Sequence, residues 1–202
     1  EAGIKTQLID RKLTANLAIF HQEFTDFQLL EFTGIQYSTF NVPKALTSGA
    51  ELELTARPSR ELTVNAAVTY ADARFPSDCN GSNTAAQIVM LCGFDVVNAP
   101  KWVVVSGFDY NKDIGSDLNI GFNASARMES DRRTASQAVM GVAAGTGKLG
   151  PALNFVLAPN DRQDSNVKVN LRAGIGRQDG LWRVEFWGNN IFNVVTYSIT
   201  TG

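Results

Sequence analysis

The sequence predicts an all-β protein, an antiparallel up-and-down transmembrane β-barrel fold of about eight long strands. Three observations predict it: period-two alternation along almost the whole chain, connections that alternate short and long, and charged side chains at the middle of strand faces. Alternation is plain in ELELTARPSRELTVNAAVTY, residues 51–70, where Leu52, Leu54 and Ala56 oppose Glu51, Glu53 and Thr55. Beyond the break, Leu62, Val64, Ala66, Val68 and Tyr70 oppose Thr63, Asn65, Ala67 and Thr69. Such a pattern describes a strand with one oily and one wet face.

Residues 1–8 and 13–31 read as the first two strands, joined at Asp10-Arg11-Lys12. A third returns over 35–57, with an irregular portion at Val42-Pro43-Lys44, because proline cannot donate to a ladder. Pro58-Ser59-Arg60 turns the chain into a fourth strand, 62–75. The fifth spans 100–111, with Trp102, Val104, Phe108 and Tyr110 on one face. NKDIGSD, residues 111–117, reads as a turn into the sixth, 118–133, where Leu118, Ile120, Phe122, Ala124 and Ala126 oppose Asn119, Asn123 and Arg127. The seventh covers 167–177, and Gln178-Asp179-Gly180 turns it into Trp182, Val184 and Phe186.

The short connections, DRK, RPSRE, NKDIGSD and RQDG, fall at one end of these strands. The long ones, about 32–38, 76–99 and 134–165, fall at the other. Short periplasmic turns and long extracellular loops are the layout of an outer-membrane barrel; a soluble sandwich scatters its loops over both ends. The wet face carries Glu51, Glu53, Lys168, Arg172, Arg183 and Glu185 in mid-strand, with Arg127 beside them. A closed soluble core could not bury these cheaply, and they are candidates to face a lumen. Trp102 and Tyr110 stand eight residues apart, ~26 Å along a strand. At a tilt of about 40° that is ~20 Å of height, near the spacing of two aromatic girdles. Trp102, Tyr110 and Trp182 are the candidate lipid-facing girdle. Alternation alone also fits a lipocalin-like barrel or jelly roll with its oily face inward, or a secreted β-sandwich binding module.

The totals narrow the class. Across 202 residues the net charge is -2 and no basic stripe occurs, which excludes a general nucleic-acid binder. Arg132-Arg133 reads as a solvated strand end. No run reaches the roughly 18 apolar residues of a membrane-spanning helix. The two cysteines, Cys79 and Cys92, flank a polar stretch, CNGSNTAAQIVMLC, and are a candidate disulfide across an exposed loop. Free thiols are the other reading; a metal site does not fit two cysteines and the distant His21.

No catalytic constellation emerges, and no cofactor is implied. Gly145-Thr146-Gly147-Lys148 lacks phosphate-loop spacing, and Leu149 stands where Ser or Thr is required. Gly174-Ile175-Gly176 has no third glycine and sits in a strand, as close packing would require. Glu51 and Glu53 share a side, which suits a charged wall better than a glycosidase pair. The protein is not read as an enzyme.

Three stretches carry a family resemblance. SGAELELTARPSRELTVNAAVTYADARF, residues 48–75, resembles the Gly-x-Glu-x-Glu strand, periplasmic turn and Tyr-x-Asp-Ala strand of TonB-dependent outer-membrane receptors. Asn98-Ala99-Pro100-Lys101-Trp102 resembles the strand start after a long extracellular loop. WRVEFWGNNIFN, residues 182–193, is similar to the late signature of that family. The resemblance implies a bacterial outer-membrane location and active uptake of a scarce solute, such as a ferric siderophore, a cobalamin or an oligosaccharide. It also implies outer-membrane lipid, a plug domain, TonB and the solute as partners, with no nucleic acid. Residues 1–202 are expected to form the C-terminal portion of the barrel, opening at Glu1 without methionine or leader and lacking the plug, the TonB-engaging box and the final strand. Such a piece is not expected to transport by itself; a small passive porin is the membrane alternative.

Overall fold

A computed structural model describes residues 1–32, 37–78, 91–134 and 162–198. Every regular element among them is a strand: β1 Ala2–Leu8, β2 Leu13–Phe32, β3 Tyr37–Ala56, β4 Leu62–Arg74, β5 Trp102–Ile114, β6 Leu118–Glu129, β7 Arg132–Arg133, β8 Arg162–Gln163, β9 Asn166–Arg177 and β10 Arg183–Gly188. Eight of them form one antiparallel sheet in the order β1-β2-β3-β4-β5-β6-β9-β10, and β7 pairs with β8 in a small separate ribbon. Within the main sheet each strand lies beside the next main-sheet strand along the chain, the up-and-down meander predicted above. β7 and β8 fall in the connection between β6 and β9. The sheet is open, with β1 and β10 as its edges.

The registers carry one pattern across the whole sheet. Ala15 lies opposite Leu54, Leu54 opposite Ala66, Ala66 opposite Ser106, Ser106 opposite Ala126 and Ala126 opposite Val169. One row away on the same face run Leu17, Leu52, Val68, Val104, Met128 and Val167. Glu53, Ala67, Val105, Arg127 and Lys168 form a row of the other face. A one-residue slip at any pairing would exchange the faces, and none occurs. The eight-stranded sheet therefore has one continuous apolar face and one continuous polar face.

Trp102 and Tyr110 occupy the apolar face at opposite ends of β5. The Trp102 ring meets Tyr70 with centroids 4.8 Å apart, at the long-loop end. Tyr110 sits opposite Phe122, whose ring lies 5.5 Å from Phe108. Trp182 stands just before β10, at the short-turn end, where its carbonyl accepts from the Arg177 amide at 3.0 Å. One row beyond Tyr70 and Trp102 the apolar face becomes polar, with His21, Ser48 and Asp72 in line.

Local chemistry explains the departures from the sequence reading. β5 continues to Ile114, three residues into the expected turn, because Lys112 and Ile120 still pair; Gly115 at φ 61° then makes the reversal. Pro43 does not break β3, yet the ladder skips it. Thr25 pairs with Lys44 and Phe27 with Val42, while Asp26, at φ 53°, and Pro43 drop out. Proline has no N–H to offer, and aspartate is one of the few residues that tolerates a left-handed backbone.

β4 pairs with β3 from Leu46 to Ala56, so the upper part of the β2–β3 hairpin rises past its neighbour. There the chain builds a core of the ordinary sort. Val42, Ala45, Phe75 and Leu91 are buried, with Phe27, Leu29, Cys92 and Val96 packed around them. Phe75 exchanges main-chain hydrogen bonds at 2.9 Å with Gly93 and Phe94, so residues 91–96 are strapped to the end of β4. Cys92 is disulfide-bonded; Cys79 lies outside the described residues, as does Gly145-Thr146-Gly147-Lys148.

Gly49 has a packing reason to be glycine. A Cβ there would lie 2.0 Å from the Tyr70 carbonyl oxygen and 2.6 Å from the tip of the Phe20 ring, which covers the glycine across the strand pair. Because the nearest atom is backbone, Gly49→Ala should destabilise the sheet by about 1–3 kcal/mol through overpacking. The check is the urea unfolding midpoint of the full-length barrel in lipid vesicles, against Gly93→Ala, where a Cβ meets nothing within 4 Å but the backbone φ of 85° is strained.

Candidate functional site: the polar wall and its upper rim

The polar face is a network rather than a scatter of charges. Between β2 and β3, the Asn16 amide donates to Glu53 at 3.2 Å. Between β5 and β6, Asn123 donates to Asp109 at 2.6 Å and Asn119 to Asp113 at 2.9 Å. On β9 and β10 the carboxylate of Glu185 is held by two guanidinium groups, Arg172 and Arg183, the latter at 2.7 Å. Arg183 also reaches Asn119 at 3.3 Å, which ties β10 across β9 to β6. Asn170 donates to Ser125 at 3.2 Å. Higher up, Glu129 accepts from both Arg127 and Arg132 at 2.7 Å.

Glycine makes room for the largest of these side chains. A Cβ on Gly121 would lie 2.6 Å from the Arg183 guanidinium, and one on Gly174 would lie 2.9 Å from the Glu185 side chain. Arg183 therefore lies flat on the wall, and a concavity of about 300 Å³ opens beside it between Asp109, Asn123, Arg172 and Glu185. Exposed pairs of this kind add ~0–1 kcal/mol each to stability. Their consequence is a prearranged polar surface.

The upper rim is drawn together by the chain after β10. Asn190, at φ 48°, has its amide N–H bonded to Asn170 and its side chain bonded both ways to Val194. Four side chains from the loop roots then hold residues 196–198. Lys168 donates to the Thr196 hydroxyl at 2.8 Å, Arg132 to the Tyr197 carbonyl at 3.2 Å and Asn98 to the Ser198 carbonyl at 2.7 Å, while Gln163 accepts from the Tyr197 amide at 2.7 Å. Nearby, Lys101 bonds Asp95 at 3.2 Å and Asp72 at 3.6 Å, and Arg162 pairs with Asp131. The Asp95 hydrogen bond raises the Lys101 pKa, and the Asp131 bond raises that of Arg162, so both remain cationic well above neutrality.

Of the seven charges expected on the wet face, Glu53, Arg127, Lys168, Arg172, Arg183 and Glu185 join these bonds, and Glu51 lies one row from Glu53 on the same face. Arg132-Arg133 is not a solvated strand end. Arg132 is drawn in by Glu129 and Tyr197, and Arg133 is only 7% exposed, its guanidinium 5.2 Å from the centre of the Phe94 ring. Sequence reading gave Asn98 only as part of a strand start, and did not find Gln163 or the 196–198 strap. The signal available was the cluster of Asn and aromatic residues after β10, whose turn geometry only coordinates reveal.

Among the described residues no group of three or more His, Cys, Asp or Glu is arranged to hold a metal ion. An open antiparallel sheet with apolar and polar faces, short turns below and long loops above defines a segment of outer-membrane barrel wall. The family model for the TonB-dependent receptor-like β-barrel matches residues 1–191, and the chain belongs to that family. Barrels of this family are outer-membrane proteins of Gram-negative bacteria, and the family is one of transporters and receptors, not of enzymes.

Solved structures share the fold. The ferric yersiniabactin uptake receptor FyuA from Yersinia pestis superposes with a TM-score of 0.67 at 15% identity, over 99% of this chain and 26% of that one. The siderophore receptor PiuA from Acinetobacter baumannii gives 0.63 at 16% identity, over 98% and 24%. The ferripyoverdine receptor of Pseudomonas aeruginosa gives 0.58 at 18% identity, over 97% and 23%. The chain thus spans about a quarter of the length of these structures.

The rim rests on the Phe75 core, which gives a local prediction. Phe75→Ala should cost about 3–5 kcal/mol, concentrated where Phe75 is buried. Hydrogen exchange should accelerate at the amides of Gly93 and Val96, which donate to the Phe75 and Ala73 carbonyls, and at that of Phe94, which donates to Leu91. Amides of the β5–β6 ladder should keep their protection.

Proposed function

We propose that this chain is the C-terminal portion of the barrel of an active outer-membrane importer, inserted with its apolar face against lipid and its polar face toward the lumen. The observation that carries the reading is the unbroken separation of the two faces through all seven pairings of the main sheet. Lipid offers no hydrogen-bond partner, so a wall exposed to it must pair its backbone within the sheet and present apolar side chains outward. Trp102 and Tyr70 mark the upper interface, while Trp182 and the Tyr110 region mark the lower.

In this function the barrel is the rigid frame. The long loops capture a scarce solute, a plug domain occludes the lumen, and TonB supplies the work that moves the plug. A ferric siderophore is the favoured solute class, because the barrels this chain resembles in fold include siderophore receptors. Glu51, Glu53, Arg127, Lys168, Arg172, Arg183 and Glu185 line the lumen and offer hydrogen bonds to the plug or to water. A Cys79–Cys92 disulfide would cinch the loop above β4 and β5, consistent with an oxidising compartment.

Two experiments test the reading. Leu54→Arg places a charge in the middle row of the apolar face and should cost ~2–4 kcal/mol on refolding the full-length barrel into bilayers. Ala67→Arg, beside Glu53 on the opposite face, should change stability far less; equal costs would overturn the polarity. In cells, accumulation of the ferric siderophore through the full-length receptor should vanish when TonB is deleted. Unchanged accumulation without TonB would make the barrel a passive pore.

A further inference from the structure

A second series of links runs along the rim, in addition to the ladders of the main sheet. The Val96 amide donates to the Ala73 carbonyl and the Gly93 amide to that of Phe75, both at 2.9 Å, joining residues 91–98 to β4. The Asn98 amide donates to the Arg133 carbonyl at 2.9 Å, joining the same segment to β7. β7 pairs with β8, Arg132 lying opposite Gln163. Gln163 in turn accepts from the Tyr197 amide at 2.7 Å, so the belt ends on the segment that follows β10.

That last link differs in kind from the first. Its socket is made of side chains already held in place, with Gln163 only 7% exposed and the Arg132 side chain 11%. Arg132 is anchored by Glu129 at 2.7 Å and donates to the Asn98 side-chain oxygen at 3.4 Å while it reaches the Tyr197 carbonyl at 3.2 Å. The segment lying in the socket has no such anchorage. None of residues 189–198 is buried, and Val195 and Tyr197 are 68% and 58% exposed. Three of the four side-chain bonds to it grip main-chain atoms of Tyr197 and Ser198, and the fourth the Thr196 hydroxyl. The link at Phe75, by contrast, is backed by a buried apolar cluster. Hydrogen bonds on an exposed segment open at low cost, whereas those backed by burial open only with the surrounding core.

We infer that residues 196–198 are a releasable clasp with Arg132 as its latch. It joins Asn98, the β7–β8 ribbon and the exit of β10 into one unit that opens together. Closed, as here, it holds the 91–98 segment and the ribbon at a fixed spacing. Open, it frees Asn98 and the ribbon while the Phe75 cluster and the eight-stranded sheet stay intact. The use of such a clasp in solute capture rests on the importer reading above; the clasp itself does not.

Hydrogen exchange of the full-length receptor in phosphatidylcholine vesicles, read residue by residue by fragmentation mass spectrometry, tests it. Thr196→Val removes the hydroxyl that Lys168 holds, and Asn190→Ala removes the side-chain bonds to Val194. Each should speed exchange about fivefold, the effect of one lost hydrogen bond, at Tyr197 and equally at Asn98 and in the β7–β8 ribbon. Arg132→Lys keeps the charge beside Glu129 but lacks the fork that spans Asn98 and Tyr197. It should speed the same amides about tenfold, as loss of a charged hydrogen bond does. Gly93 and Val96 should keep their protection in all three.

Acceleration confined to residues 190–198, with Asn98 and the ribbon unchanged, would overturn the clasp. Equal acceleration at Gly93, Val96 and the β5–β6 ladder would overturn it too, as a general loosening. Heat-modifiable gel migration shows which variants fold; should the other two fail, Thr196→Val, which loses a single hydroxyl, decides the matter alone. Exchange needs neither solute nor TonB, so a failure of the importer reading would leave this result standing.

Discussion

Period-two geometry is the constraint on which everything else in this molecule depends. A strand sends alternate side chains to opposite sides, and a meander of strands keeps that assignment only while every register holds. Here the assignment passes intact from β1 to β10. The result is a protein whose sheet has no dry centre of the soluble kind, in which Val104, Phe122 and Leu171 lie on one outer surface and Glu53, Arg172 and Glu185 on the other. Among the described residues, apolar burial in the usual sense gathers at the upper end of the sheet, around Phe75 and Val42. In the orientation proposed above, one chain serves two solvents: hydrocarbon by the face, water by the wall and the rim.

Much of this was legible in the sequence, because alternation is a local property. The faces of β4, β5, β6 and β9, the short turns, and the role of Gly174 and Gly176 as close-packing positions follow from spacing alone. Strand ends were less legible. β5 outruns its expected limit at Asn111 because a strand continues as long as its partner offers hydrogen bonds, whatever the turn propensity of NKDIGSD. Pro43 interrupts a ladder without ending a strand, since the opposite residue, Asp26, yields instead.

The rim was least legible. Arg132, Asn98, Gln163 and Thr196 are separated by up to a hundred positions and meet only through the fold. No periodicity announces such a meeting. Arg132-Arg133 looked solvated because two arginines after a strand commonly are. What draws them in is Glu129 at the end of that strand and Phe94 from a distant loop, neither of which a one-dimensional reading places nearby. The charged wall was found more readily, as its members sit inside strands whose parity was already known.

The gap in the ladder at Asp26 and Pro43 has a mechanical consequence. Below it, β3 is hydrogen-bonded on both sides; above it, the hairpin has lost its β4 neighbour and leans on the Phe75 cluster instead. The staves beneath are thus aligned by main-chain rungs on either flank. The upper hairpin takes its bearing from side chains, through Val42 and Ala45 seated on Phe75 and Leu91.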